Sequence, residues 1–431
     1  MSHIPVSLPA LAAALRSGQL PITNYLIHLE EQFASREPSL LAFVPEEHRF
    51  ARLRRDAQEL ETRYPTPASR PPLYGVPIGV KDIFHVAGFT TRAGSKLPPE
   101  VLQGVEAESV RELKKAGALI LGKTVTTEFA YFGPGPTRNP YNPAHTPGGS
   151  SSGSAAAVAA GLAPLTLGTQ TIGSIIRPAA FCGVVGYKPT SERISRAGVI
   201  PLSPTLDHVG VFASDVAGAA LAASLLIGDW KAELLHSRKP VLGIPEGPYL
   251  ERASEEMLAH FHNLCRRLRE ADFLLKPVRV MPDFISIRER HYLITAAEAA
   301  QVHKDWFPRY RDVYHPKTVE LLERGQAITS NQLQDALASR EQLRSALTRL
   351  METEQIDLWL SPAAPGPAPK GLDSTGDPVM NLPWTHAGLP AVNLPSGVNA
   401  DGLPLGLQLT GRWLADEQLL SWAAQLETIV K

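Results

Sequence analysis

The sequence predicts an α/β fold built as one domain. Three observations carry this. Short apolar runs bounded by glycine and proline recur along the chain, as "GVPIGV" (75–80), "GALILG" (117–122), "GVVGY" (183–187), "VLGIP" (241–245) and "DLWLS" (357–361). Helical patterns lie between them, among them Glu106–Ala116 and Ser254–Ala271. Strand and helix alternating in this way indicate a layered α/β architecture. No internal repeat, low-complexity linker or shift in composition divides the 431 residues.

The elements follow in order. Residues 9–63 read as helical, with Leu11, Leu15 and Leu20 followed by the amphipathic run "HRFARLRRDAQELETRY". This N-terminal helical region ends near residue 65, and "PTPASRPP" (65–72) is a loop. A core of strands and helices is expected over 70–215. Val209–Gly228 is apolar but contains Asp215, so it reads as a helix capped at Ser214–Asp215. A charged helical flank fills 250–356. From 357 to 431 the chain turns rich in proline and glycine, with strand-like "LPAVNLP" and "PLGLQL".

Composition excludes several classes. Net charge is −1, hydrophobic residues make up 44% and charged residues 20%. There is no basic stripe of the kind nucleic-acid binders carry. No run of ~20 apolar residues is present to span a membrane. The N-terminus lacks the pattern of a signal peptide. The two cysteines, Cys182 and Cys265, cannot form a disulfide framework, so a reducing, cytoplasmic setting is expected.

Three motifs match common patterns in the wrong context. "GALILGKT" (Gly117–Thr124) fits the phosphate-loop pattern, which would make a nucleotide-binding protein. Its middle residues are a buried strand rather than a loop, and a helix precedes it. "GSSSG" (Gly149–Gly153) fits a nucleophile elbow, but the proline-rich "TRNPYNPAHTPG" before it is no central strand. His208 and His386 have no context as its partners. "HFHNLC" (His260, His262, Cys265) has metal-ligand types in a helical pattern, where i and i+2 face apart. No metal site and no cofactor is expected.

One constellation has a coherent chemistry. "GTQTIGS" (168–174) reads as a polar turn between apolar stretches. Such a turn aims successive backbone N–H groups at one point, as an oxyanion requires. Ser174 at its end is placed to attack a carbonyl held there. A lysine becomes a base when burial keeps it neutral, and Lys81 ends an apolar strand-like run.

The block Gly148–Thr190 resembles the amidase signature family of serine hydrolases. It carries a GGSSGGS-type loop, a GTDTGGSIRxPA-type turn and a CGxxGxKPT-type tail. Ser150 and Ser174 stand 24 residues apart, the family spacing. "GVPIGVKD" resembles the strand bearing the family's lysine, and residues 387–416 resemble its C-terminal block. The resemblance implies a single domain with a central mixed β-sheet covered by helices on both faces. It assigns catalysis to Ser174, to Ser150 in a cis peptide and to Lys81. The N–H groups of Thr171, Ile172, Gly173 and Ser174 would form the oxyanion hole, with Ser151 and Gly149 supporting. A homodimer is expected from the family alone.

Four departures bear on the substrate. Gln170 replaces an aspartate, Ile172 replaces a glycine, Ile176 stands where an arginine is usual with Arg177 one later, and Ser152 replaces a loop glycine. Gln170, Tyr131, Phe132, Ile176 and Trp384 are the expected pocket residues. They suggest an aryl or alkyl amide of apolar character. A carbamate or urea suits the same mechanism. The glutaminase component of a tRNA-dependent amidotransferase is the partner-bound alternative.

Overall fold

The structure is a computed structural model that describes residues 7–232 and 238–430. Its centre is a ten-stranded mixed sheet. The strands are β1 (Pro77–Lys81), β2 (Leu119–Thr124), β3 (Leu165–Gln170), β4 (Val185–Lys188), β5 (His208–Ala213), β6 (Leu242–Glu246), β7 (Leu275–Arg279), β8 (Leu358–Pro362), β9 (Ala391–Val398) and β10 (Pro404–Thr410). Their order is β2-β1-β3-β5-β4-β9-β10-β8-β6-β7. β1 runs parallel to both β2 and β3, and β3 pairs antiparallel with β5. Strands β1, β2 and β3 are buried along their whole length. That is why they read as continuous apolar runs rather than alternating ones.

Fourteen α-helices surround the sheet among the described residues. α1 (Leu8–Ser17), α2 (Ile22–Leu40) and α3 (Arg49–Arg63) form the N-terminal helical region, and α4 (Glu108–Lys115) precedes β2. α5 (Ser152–Ala159) and α6 (Ile176–Cys182) pack on each other and on the central strands. α7 (Val216–Leu226) and α14 (Asp416–Val430) form a second packed pair, on β5, β4 and β9. α8 (Glu255–Glu270) begins at Ser254, whose hydroxyl accepts from Met257 N. The charged flank is α9 (Phe284–Val302), α10 (Phe307–Tyr310), α11 (Pro316–Gln326) and α12 (Ser330–Thr353), and α13 (Leu382–His386) follows β8.

The expected strands 75–80, 117–122, 183–187, 241–245 and 357–361 are all present within a residue or two. The helix expected to start at Ser214–Asp215 within 209–228 is present, and the apolar residues before it form an unexpected strand. That strand is β5, and α7 starts after Asp215, which caps it by accepting from Gly218 N at 2.7 Å. The expected turn over 168–174 is shorter at its start. β3 continues to Gln170, because Thr166 and Thr169 find hydrogen-bond partners inside the protein.

"GGSSSGS" is no linker. It ends in the first turn of α5, where a Cβ on Gly153 would run into the Ala42 carbonyl and lie 2.5 Å from Val125 N. Only glycine lets the helix approach the sheet this closely.

Candidate active site

Lys81 is the last residue of β1 and is fully buried. Its Nζ lies 2.7 Å from Ser150 Oγ, 2.8 Å from Thr169 Oγ1 and 3.0 Å from Ser151 Oγ. Burial pulls its pKa well below the usual lysine value, and the Asp207 carboxylate opposes this. Kept neutral by that burial, the amine has two N–H groups and one lone pair. Ser151 Oγ already spends its proton on the Thr169 carbonyl at 3.1 Å, so it accepts from Lys81. Thr169 Oγ1 takes the second N–H. In a neutral amine the lone pair is then left for the Ser150 hydroxyl, whereas an ammonium would donate to it. Ser150 follows a cis peptide bond from Gly149, and its carbonyl accepts from Thr127 N at 3.1 Å.

β3 delivers the chain into the turn Thr171–Ser174. Three successive carbonyls at its start are tied into the protein. Gln170 O meets His208 Nδ1 at 3.3 Å, Thr171 O meets His291 Nε2 at 3.1 Å, and Ile172 O accepts from Thr385 Oγ1 at 2.8 Å. In a trans peptide the N–H points opposite to its carbonyl. The N–H groups of Thr171, Ile172 and Gly173 therefore face away from these anchors. Together with that of Ser174 they have no hydrogen-bond acceptor among the described residues. Successive unpaired N–H groups in a turn are what an anion-binding concavity is built from.

Gln170 locks the turn from below. Its Oε1 accepts from Ile175 N at 2.8 Å and Ile176 N at 3.0 Å, and its Nε2 donates to Thr385 Oγ1 at 2.9 Å. Thr171 Oγ1 donates to Asp207 Oδ1 at 2.5 Å. Burial pushes the Asp207 carboxyl up to about 6, against hydrogen bonds from Thr171, Leu202 N and Ser203 N. Ser174 is 7% exposed, and its hydroxyl makes no hydrogen bond to a described residue.

The Amidase family profile matches residues 40–420. The chain belongs to the amidase signature family. Its reaction is hydrolysis of an amide C–N bond. The A-type component of a glutamyl-tRNA(Gln) amidotransferase from Synechococcus sp. (strain WH7803) is 31% identical, covering 96% of this chain and 95% of its own. A crystal structure described as an amidase superposes with a TM-score of 0.90 at 32% identity, covering 99% of this chain and all of that one. A native peptide amidase from Stenotrophomonas maltophilia gives a TM-score of 0.82 at 26% identity, over 100% of this chain and 98% of that one.

In this amidase three of the five expected pocket residues turn inward. Trp384 is fully buried, with its indole N–H on Tyr249 Oη at 2.8 Å and its ring beside Trp359. It is core, because a buried indole needs that hydrogen bond and finds it away from the turn. Gln170 spends its whole amide on the turn. Ile176 is fully buried on α6 in the main core. Tyr131 and Phe132 are half-buried, with ring centroids 4.6 Å apart. Ile172 packs into the same apolar cluster as Trp384, against which Phe132 also rests.

Arg177 is buried too. It donates to Gly149 O at 2.6 Å, Gly376 O at 2.8 Å and Thr375 Oγ1 at 3.1 Å. The displaced arginine is thus a strut between the Ser150 loop and residues 375–376.

The misleading motifs resolve physically. Gly117–Thr124 is the end of a helix-turn-strand unit. Lys123 is buried and paired with Asp82 at 2.8 Å, which leaves no phosphate cradle. His260, His262 and Cys265 lie along α8, and no group of three or more His, Cys, Asp or Glu side chains converges among the described residues. No described helix is long and apolar enough to cross a membrane.

Sequence reasoning missed Thr169, Asp207, His291 and Thr385. Each reaches the site through the fold rather than through a local motif.

Proposed function

We propose that this amidase works through an acyl-enzyme on Ser174, with Ser150 and Lys81 as its proton relay. The observation that carries this is Lys81 Nζ at 2.7 Å from Ser150 Oγ in a fully buried site. Neutral Lys81 takes the proton of Ser150, which takes that of Ser174. Ser174 Oγ attacks the amide carbonyl carbon. The N–H groups of Thr171, Ile172, Gly173 and Ser174 hold the oxyanion. The relay returns the proton to the departing amine as the C–N bond breaks. Water then attacks the ester, giving its proton to the relay, and the acid leaves Ser174.

Two substrate readings have support. The half-buried pair Tyr131 and Phe132, with Ile172 behind, favours an aryl or alkyl amide, or a carbamate. Similarity over nearly the whole chain to the A-type components of amidotransferases favours glutamine, with the ammonia used in a complex. Of the two, the relatives weigh toward glutamine. The two terminal nitrogens of Arg177 are spent on the protein, which disfavours a bidentate grip on a substrate carboxylate there. Two separate buried free cysteines, Cys182 and Cys265, support a cytoplasmic setting.

Steady-state amine or ammonia release tests both. The isolated chain is assayed on aryl amides, carbamates and glutamine, beside its Ser174→Ala variant. Turnover that survives in Ser174→Ala overturns the mechanism. Release of ammonia from glutamine only when copurified partners are present selects the amidotransferase reading. Activity of the lone chain on unrelated amides rejects it.

A further inference from the structure

The oxyanion turn is backed by a buried polar chain that its own chemistry does not require. His291 on α9 meets Thr171 O through Nε2 at 3.1 Å. Its Nδ1 lies 3.3 Å from Nδ1 of His386, at the end of α13. His386 Nε2 lies 2.9 Å from Ser339 Oγ on α12, and Ser339 Oγ lies 2.6 Å from Ala336 O. All three side chains are buried.

Proton counting orients this chain. It has four contacts and ends on a carbonyl at each side. Two neutral imidazoles and one hydroxyl supply three protons. One contact therefore goes without, and the longest, between the two Nδ1 atoms, is where a missing proton costs least. A carbonyl oxygen only accepts, so the Thr171 contact is a hydrogen bond when His291 Nε2 carries the proton. A fourth proton would bury a positive charge. Burial, with Arg340 nearby, pushes His291 down to about 3, and burial, then His291, Arg340 and Arg290, pushes His386 down as well. Arg340 Nε itself donates to His386 O at 3.2 Å.

We propose that His291 is a positioning residue for the oxyanion hole. Its Nε2–H holds the Thr171 carbonyl and so aims the Ile172 N–H at the substrate oxygen. Asp207 grips the same residue by its hydroxyl, so Thr171 is fixed on two sides. His386 and Ser339 hold the His291 ring. The role rests on Ser174 being the nucleophile. It accounts for two buried histidines that take no part in the relay.

The test is the rate at which phenylmethanesulfonyl fluoride labels Ser174, followed by intact mass and peptide mapping. The sulfonyl oxygen needs the same N–H groups as an amide oxygen. His291→Met fills the space without a donor, whereas His291→Gln places an amide N–H near the position of Nε2. The Met variant is expected to slow labelling about tenfold to a hundredfold. That is less than the hundred- to thousandfold cost of deleting an oxyanion donor outright. The Gln variant is expected to recover most of the rate. Labelling of the Met variant within twofold of wild type overturns the proposal, as does a Gln variant no faster than Met. Should the Met variant not fold, histidine nitrogen spectra of the wild type decide. A proton on His291 Nε2 and none on Nδ1 at pH 7.5 supports the role, and the reverse tautomer overturns it. Wild type that takes no label on Ser174 instead overturns the nucleophile, and this role with it.

Discussion

Lys81 and Ser150 face each other across 2.7 Å at the end of a fully buried strand, with no carboxylate among the described residues bonded to the amine. In the proposed mechanism that relationship makes the lysine a base. A salt-bridged lysine would stay charged, whereas this one is surrounded by three hydroxyls and apolar sheet. Activity is expected to fall as pH drops through the lowered Lys81 pKa, because protonation removes the lone pair that faces Ser150. A pH profile of kcat/KM checks this. Lys81→Ala is expected to lose at least a thousandfold at pH 7 while remaining folded, and activity within tenfold of wild type would contradict the role.

The same burial has a stability consequence. The folded-state pKa of Lys81 is lowered, so the unfolded chain binds the extra proton between that value and the ordinary lysine value near ~10.4. Stability from this group is present at high pH and is lost as pH falls through that window. Lys81→Met removes the dependence. Its stability relative to wild type is expected to be greatest at neutral pH and to shrink as pH rises toward 10. Urea unfolding of both proteins at several pH values measures it.

Gln170 is expected to matter for rigidity rather than for substrate choice. Gln170→Leu leaves the N–H groups of Ile175 and Ile176 without their acceptor and frees Thr385. Stranding buried donors costs on the order of 2–4 kcal/mol in total. Ser174 sits between these anchors, so kcat should fall alongside stability. A Gln170→Leu protein with unchanged melting temperature and a new substrate preference would contradict this assignment.

Asp207 gives a second titration of opposite sign. Its folded pKa is raised to about 6, so the folded chain binds the extra proton between about 4 and 6. Stability from this group is present at low pH and lost as pH rises through that window, by on the order of 2–3 kcal/mol. Asp207→Asn should therefore gain on wild type as pH rises from 4 to 7. Parallel unfolding curves over that range would show no linked proton.

Much of this was legible because it is local. The strands around Lys81, the loop holding Ser150 and the turn ending at Ser174 each sit in one contiguous motif. The apolar runs revealed the buried parallel strands directly. β5 was hidden because its apolar run flows into α7, and the end of β3 because Thr166 and Thr169 are polar. The anchors of the turn were illegible for a different reason. Thr169 stands 88 residues from Lys81, His291 stands 120 from Thr171, and Thr385 stands 213 from Ile172. The pairing of β1 with β3 brings Thr169 to Lys81, and the packing of α9 and α13 against the turn brings His291 and Thr385. Trp384 misled because a large aromatic near a predicted site looks the same in sequence whether it lines a pocket or fills the core.

The central claim is that Ser174 is the acylated residue. The most direct measurement is intact-protein mass spectrometry after brief mixing with activated aryl amides and carbamates of distinct acyl mass. Carbamoyl-serine deacylates slowly and so accumulates. The account predicts one adduct per chain, mapping to Ser174 and absent from Ser174→Ala. An adduct on Ser150, or one that persists undiminished in Ser174→Ala, would contradict it.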